Sequence, residues 1–206
     1  MNVLKVYKKL LDIYGFQKWW PVHENQDKVV EIVVGAVLTQ NTSWKNVEKS
    51  LENLISYGCL SFECIKNIDI EMLKKLIKPS GFYNQKAKTL KLLANLFLEK
   101  KEITRQELLA VKGVGPETAD SILLYAFDKP FFVVDKYTKR LFYRLGFTPE
   151  NISYEELQRF ITDNIPKDVE IYKEFHALIV KHCKDICTKT PKCENCFLSC
   201  KFKMEV

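Results

Sequence analysis

The apolar positions of this chain repeat at helical spacing almost from end to end. Val3, Leu4, Tyr7, Leu10, Leu11 and Tyr14 fall on one face of a 3.6-residue period, and Gly15 supplies a helix stop. Residues 26–38 are apolar nearly all round, as a centrally buried helix would be. Trp44, Val47, Leu51, Leu54 and Ile55 form another stripe, closed by Gly58. The spacing predicts a further helix from residue 69 to about 78, ended by Pro79, Ser80 and Gly81. It predicts one more from 85 to about 100, with Leu90, Leu93, Leu96 and Phe97 inward. Thr104 with Glu107 and Ser153 with Glu156 are spaced as capping boxes, so each opens a helix. The last long helix is expected over 168–183. The short apolar run 130–135, "PFFVVD", reads as a connection entering a helix at Asp135 rather than as a strand. The fold class that follows is all-α.

Composition narrows the picture. The 206 residues, 47% of them hydrophobic, suffice for one compact domain or two small ones with a buried core. Gly and Pro number 7 each, and no repeat, low-complexity tract or flexible linker stands out. The N-terminal stretch is amphipathic rather than a secretory signal, and the longest apolar run, 29–38, contains Glu31 and is too short to span a bilayer. The expectation is a soluble intracellular protein, cytoplasmic or nucleoid-associated, with no membrane partner. A net charge of +6 fits a nucleic-acid partner, but many lysine-rich proteins share it. Of seven cysteines, Cys183, Cys187, Cys193, Cys196 and Cys200 fall within 18 residues. In a reducing compartment such a cluster suits a metal better than disulfides.

The chain also turns sharply at "KGVG", Lys112 to Gly115, between two apolar stretches. Pro116 is well placed as the first residue of the following helix. Glycine permits positive φ and a close neighbour, and the exposed N–H groups at a helix start seat an anion. A tight turn between packed helices is the plainer reading. A P-loop is excluded, because no Lys-Ser/Thr follows the second glycine.

Helix, "KGVG", helix, and then "VVDKYTKR" (133–140) together resemble the helix-hairpin-helix DNA glycosylase superfamily, typified by endonuclease III. The resemblance runs along essentially the whole chain. It implies that the hairpin, Lys112, Gly113, Val114 and Gly115, binds a DNA phosphate through its amides. It implies that Asp135 is the catalytic carboxylate. A carboxylate can stabilise an oxocarbenium-like sugar or draw a proton from water; taken alone, Asp135 reads as a helix N-cap. The base must leave the duplex before reaction, and the resemblance implies that Gln40, in "LTQNTSW" (38–44), fills the gap; taken alone, this is a polar turn. Members that also cut the strand use a lysine two residues past the second hairpin glycine. Here that residue is Glu117, which cannot form a Schiff base, so a monofunctional glycosylase is expected.

The stretches "WWP" (19–21), "GAVLTQNT" (35–42) and "PSGFYNQKAK" (79–88) are most similar to the 3-methyladenine DNA glycosylase III branch. That similarity implies an aromatic base pocket of Trp19, Pro21 and Trp44, suited to a cationic alkylated purine; core packing is the plainer reading of each tryptophan. The cysteine-rich end departs from that branch. It resembles the iron–sulfur loop of other members, which keeps uracil, and also 8-oxoguanine, as competing lesions. The family spacing is C-x6-C-x2-C-x5-C, whereas Cys187, Cys193, Cys196 and Cys200 are separated by five, two and three residues. The resemblance implies a [4Fe–4S] cluster on these four, with Cys183 as a spare; four thiolates also suit zinc. Lys181, Lys184, Lys189, Lys192, Lys201 and Lys203 around the loop would meet phosphates or simply be solvated.

The expected architecture is two helical lobes with damaged double-stranded DNA lying across them. One is a barrel-like domain, 22–134, ending in the hairpin. The other is discontinuous, 1–21 plus 135–206, and carries the cluster loop at 183–200. A monomer is the default. A bifunctional glycosylase/lyase and a non-catalytic DNA-binding module are the alternatives; Glu117 argues against the first and Asp135 against the second.

Overall fold

The structure, a computed structural model, describes residues 2–198 and residue 200. In chain order its α-helices are α1 (Val3–Tyr14), α2 (Lys28–Leu38), α3 (Trp44–Ser56), α4 (Phe62–Asn67), α5 (Ile70–Leu76), α6 (Tyr83–Glu99), α7 (Arg105–Ala110), α8 (Pro116–Phe127), α9 (Lys136–Arg144), α10 (Tyr154–Thr162) and α11 (Val169–Asp185). Single 3-10 turns lie at Lys78–Ser80 and Cys193–Asn195, and no strand occurs among the described residues. No helix there is long and apolar enough to cross a membrane.

The chain divides into two compact units, Trp20–Phe127 and a second made of Met1–Trp19 with Asp128–Val206. The divisions fall at 19/20 and 127/128, where the pattern suggested 21/22 and 134/135. Side-chain partners explain both. Trp20 packs within the first unit on Trp44 and Tyr125, and Asp128 is ion-paired within the second to Lys173.

In the unit Trp20–Phe127, α2 is the central element. Every residue from Val30 to Leu38 is buried, including Glu31. Helices α3, α6 and α8 surround it. Asp27 caps its start by accepting from the Val29 and Val30 amides. The short helix α4 is invisible to a search for long periodic stretches, because six residues show barely two turns. A disulfide joins Cys59 to Cys64 across its start, a pairing the sequence reading did not foresee. Phe97 stacks face to face with both Phe62 and Phe127, and Leu96 and Phe97 are half-buried rather than inward.

In the other unit, α1 and α9 pack on α11. The buried face of α1 is Val3, Val6, Tyr7 and Leu10, with Leu4 and Leu11 at its margin. The core is aromatic: Phe175 packs against Tyr7, Phe132 and Phe142. Both capping boxes form, at Thr104 with Glu107 and Ser153 with Glu156. Residues 130–135 are the connection expected, and Asp135 is the N-cap of α9.

Candidate active site and nucleic-acid interface

Three turns of the unit Trp20–Phe127 are tied together by α6. The Lys86 amine, buried at 2% exposure, donates to the Leu38 carbonyl at 2.9 Å and the Ser80 carbonyl at 2.8 Å. One turn further along, the Thr89 hydroxyl donates to the Lys112 carbonyl at 3.0 Å. The Gln40 amide completes the link by donating to Gly113 O at 3.0 Å and to the Thr118 hydroxyl at 2.9 Å. The 38–42, 80–82 and 111–115 turns are therefore tied together by the polar side chains of Lys86, Thr89 and Gln40.

The two hairpin glycines have different reasons to exist. Gly113 has φ +94, and a Cβ there would stand 2.2 Å from Thr89 Oγ1. Its place is set by the fold. A Cβ on Gly115 would meet nothing within 4 Å, so the space beside it is open. Val114 is buried and its N–H already donates to Val111 O at 3.0 Å, so it anchors the turn. Lys112 and Gly113 are exposed. Glu117 stands in the first turn of α8, exposed.

In the same unit Trp44 lies edge-on to Trp20, with ring centroids 5.4 Å apart, and Trp20 also meets Tyr125 at 5.5 Å. Trp20 is the tryptophan that the sequence reading passed over. It lies so close to α2 that a Cβ at Gly35 would be 2.8 Å from its ring. Trp44 donates Nε1–H to Glu48 at 2.8 Å. Pro21 is exposed; Trp19 belongs to the other unit and is half-buried. Buried carboxylates pin the backbone on each side of this stretch. Glu174 accepts from the Gln17 and Lys18 amides, and Glu31 accepts from the amide and Nδ1 of His23.

Asp135 is buried at the start of α9. Its Oδ1 accepts from the Thr138 amide at 2.7 Å and the Thr138 hydroxyl at 2.9 Å. Its Oδ2 lies 3.7 Å from Nε2 of the buried His176 on α11. Burial pushes the carboxyl up, but His176 and the two Thr138 hydrogen bonds outweigh it and hold Asp135 below the ordinary carboxylate value. The residue is both a helix cap and an ionised buried carboxylate.

Cys187, Cys193, Cys196 and Cys200 line one cavity of about 260 Å³, together with His182, Leu141 and Arg144. Cys183 stands behind Cys187. A hydrogen bond from Cys183, and then the Arg144 guanidinium, hold the Cys187 thiol below its usual range, while the same bond and burial push Cys183 up. Arg140 donates to the Cys187 and Cys183 carbonyls, and Arg144 to the Thr188 and Lys189 carbonyls, so α9 braces the loop. Burial lowers His182 to about 4; its Nδ1 meets the Tyr14 hydroxyl at 3.0 Å and its Nε2 lies 3.7 Å from Cys196 Sγ. Among the described residues no three His, Cys, Asp or Glu side chains are grouped as they would be around a single ion. Lys181, Lys184, Lys189 and Lys192 are exposed; Lys201 and Lys203 lie outside the described residues.

Lys86, Trp20, His176 and His182 were not singled out from the sequence. The signals were a lysine on the inward stripe of α6, the second letter of "WWP", and two histidines on an apolar helix. Lys86 yields a direct test. Lys86→Met keeps the apolar stem but leaves two buried carbonyls without their donor, at about 1–3 kcal/mol each. Burial lowers the amine from 10.5 to about 8. Between those values the unfolded chain binds more protons than the folded one, so native stability gains as pH rises. Urea midpoints should show the wild type's advantage over Lys86→Met widening from pH 8 to 10.5. A constant difference would place the amine in water.

Comparison with known proteins gives a consistent pattern. The family model described as HhH-GPD superfamily base excision DNA repair protein matches residues 34–167. A Methanocaldococcus jannaschii protein bearing a provisional DNA repair glycosylase name is 51% identical, over 94% of this chain and 92% of its own length. Endonuclease III of Thermotoga maritima is 30% identical over 90% of this chain and 88% of its own. Among solved structures, the 3-methyladenine DNA glycosylase of H. pylori bound to 1,N6-ethenoadenine superposes with a TM-score of 0.80 at 34% identity. That match covers 89% of this chain and 98% of the other.

Proposed function

Because the chain belongs to the HhH-GPD superfamily of base excision DNA repair proteins and is a DNA glycosylase, we propose that it acts by hydrolysis alone. It would flip a damaged base from double-stranded DNA, cut the N-glycosidic bond and leave the strand intact. The observation that carries excision by hydrolysis is Asp135, a buried carboxylate held below its ordinary value with one oxygen tied to the helix cap and the other not. An anion so held can stabilise the developing positive sugar and accept a proton from the attacking water. Glu117 in place of an amine supports the absence of a lyase step.

Phosphate binding is assigned to the Gly113 and Gly115 amides, the Lys112 side chain and the start of α8. Gln40 would swing from Gly113 O into the vacated stack. Trp19, Pro21 and Trp44 are the proposed base contacts. The Glu48 carboxylate on the Trp44 indole N–H enriches that ring, which favours a cationic base such as 3-methyladenine. The cysteine loop keeps uracil as the second reading.

Cys187, Cys193, Cys196 and Cys200 fit a [4Fe–4S] cluster. Their sulfurs line one cavity instead of converging on a point, and Arg140 and Arg144 supply cations beside the thiolates. Such a group would cross-link the loop through its metal–sulfur bonds. Purified protein should be brown, and Cys193→Ser should bleach it and release iron; a colourless protein with zinc would overturn the cluster.

The deciding experiment offers duplexes carrying 3-methyladenine, uracil, thymine opposite guanine, or 8-oxoguanine, each scored with and without alkali. Free base with breaks only after alkali is the expected result. Breaks without alkali would show that another amine does the work of the missing lysine.

A further inference from the structure

Asp135 does not stand alone in its unit. Its two oxygens have different duties. Oδ1 takes both donors of Thr138, at 2.7 and 2.9 Å, and is committed to starting α9. Oδ2 is the oxygen left to meet a substrate, and Nε2 of His176 lies 3.7 Å from it. His176 comes from α11, forty-one residues away in sequence, and both residues are buried. Burial disfavours an anion at such a site; the Thr138 donors and a partner that can carry positive charge both oppose that.

We propose that His176 is a positioning residue for excision, whose imidazole holds Asp135 as a carboxylate and fixes Oδ2 as the oxygen that faces the reaction. The proposal rests on the reading of Asp135 as the catalytic carboxylate. It assigns His176 no contact with DNA. The geometry favours a charge-holding role over a packing role, since a ring nitrogen of a buried imidazole stands 3.7 Å from the carboxylate oxygen that Thr138 leaves over.

The other titratable groups around the pair do not interfere in the acid range. On α9, Tyr137 is raised by burial and then by the charge of Asp135, and Lys136 is exposed. On α11, Cys183 is raised. Thr138, the remaining partner, does not titrate. With His176 present the carboxyl stays charged to a lower pH; without it, only the two Thr138 hydrogen bonds oppose burial, and Asp135 takes up its proton at a higher pH. Activity that requires the carboxylate is lost correspondingly earlier on acidification.

The test uses His176→Gln, which keeps a donor but cannot become a cation, and His176→Phe, which keeps only the shape. Single-turnover excision of the lesion identified by the panel is measured across pH, alongside affinity for a duplex with an abasic-site analogue. The carboxyl carbon of Asp135 is followed by 13C NMR in aspartate-labelled protein, its resonance identified by its loss in Asp135→Asn. The expected result is an acid limb and a carbon titration both displaced to higher pH, further in Phe than in Gln. Affinity for the analogue should stay within about twofold, and each unit of displacement should lower the rate about tenfold in the acid range. Unmoved limbs and an unmoved carbon titration in both variants would overturn the proposal, whatever their thermal stability. Wild-type excision by Asp135→Asn would instead overturn the reading of Asp135 itself.

Discussion

Asp135→Asn is expected to lose excision by about 10²–10⁴-fold while DNA binding and thermal stability change little. The substitution separates the helix cap that Asp135 forms from the catalytic role proposed for it. Asparagine caps a helix as well as aspartate does, and its side-chain oxygen can still accept from the Thr138 amide as Oδ1 does now, at 2.7 Å. What it cannot do is carry negative charge toward a developing oxocarbenium ion or accept a proton from water. Because the native carboxyl is held below its ordinary value, the wild type should keep its charge through the neutral range and lose activity only on acidification. Single-turnover rates, melting temperatures and affinity for an abasic analogue, measured on one preparation, check all three statements. Equal loss of rate and stability would make Asp135 a cap and nothing more.

The second large effect divides the hairpin glycines. Gly113→Ala places a methyl 2.2 Å from Thr89 Oγ1 in a backbone conformation with φ +94. The Thr89 hydroxyl cannot retreat without giving up its bond to Lys112 O. Backbone strain alone is worth about 1–3 kcal/mol, so this variant should melt earlier and bind DNA poorly. Gly115→Ala meets no atom within 4 Å and should fold as the wild type does. If the open space beside Gly115 is where a phosphate sits, the added methyl will weaken DNA binding at unchanged melting temperature. Titration of both variants with undamaged duplex at two salt concentrations distinguishes the outcomes. Unchanged affinity for Gly115→Ala would move the phosphate seat away from this turn. Gly113 and Gly115 thus share a motif but not a reason, which spacing alone cannot reveal.

Some features were open to a linear reading because their causes are local. The capping boxes at Thr104 and Ser153, the cap at Asp135 and the turn at residues 112–115 each depend on neighbours a few positions away, and the apolar run that forms α2 is contiguous. The resemblance to a family was legible for a related reason, since "KGVG", "VVDKY" and the terminal cysteines are short runs. The short α4 and its disulfide were missed because two turns carry no usable period.

What the sequence by itself determined is the all-α class, the starts of most helices and the residue types available for chemistry. Only the tertiary structure decided which of them meet. Lys86 looks like any helical lysine until Leu38 and Ser80 present their carbonyls to it. Trp20 is indistinguishable from Trp19 until one of them lands on Gly35. His176 is one letter in an apolar helix until α9 carries Asp135 to within 3.7 Å. Each pairing joins residues tens of positions apart. It is set by how helix faces pack, a non-local outcome that side-chain periodicity constrains but does not specify.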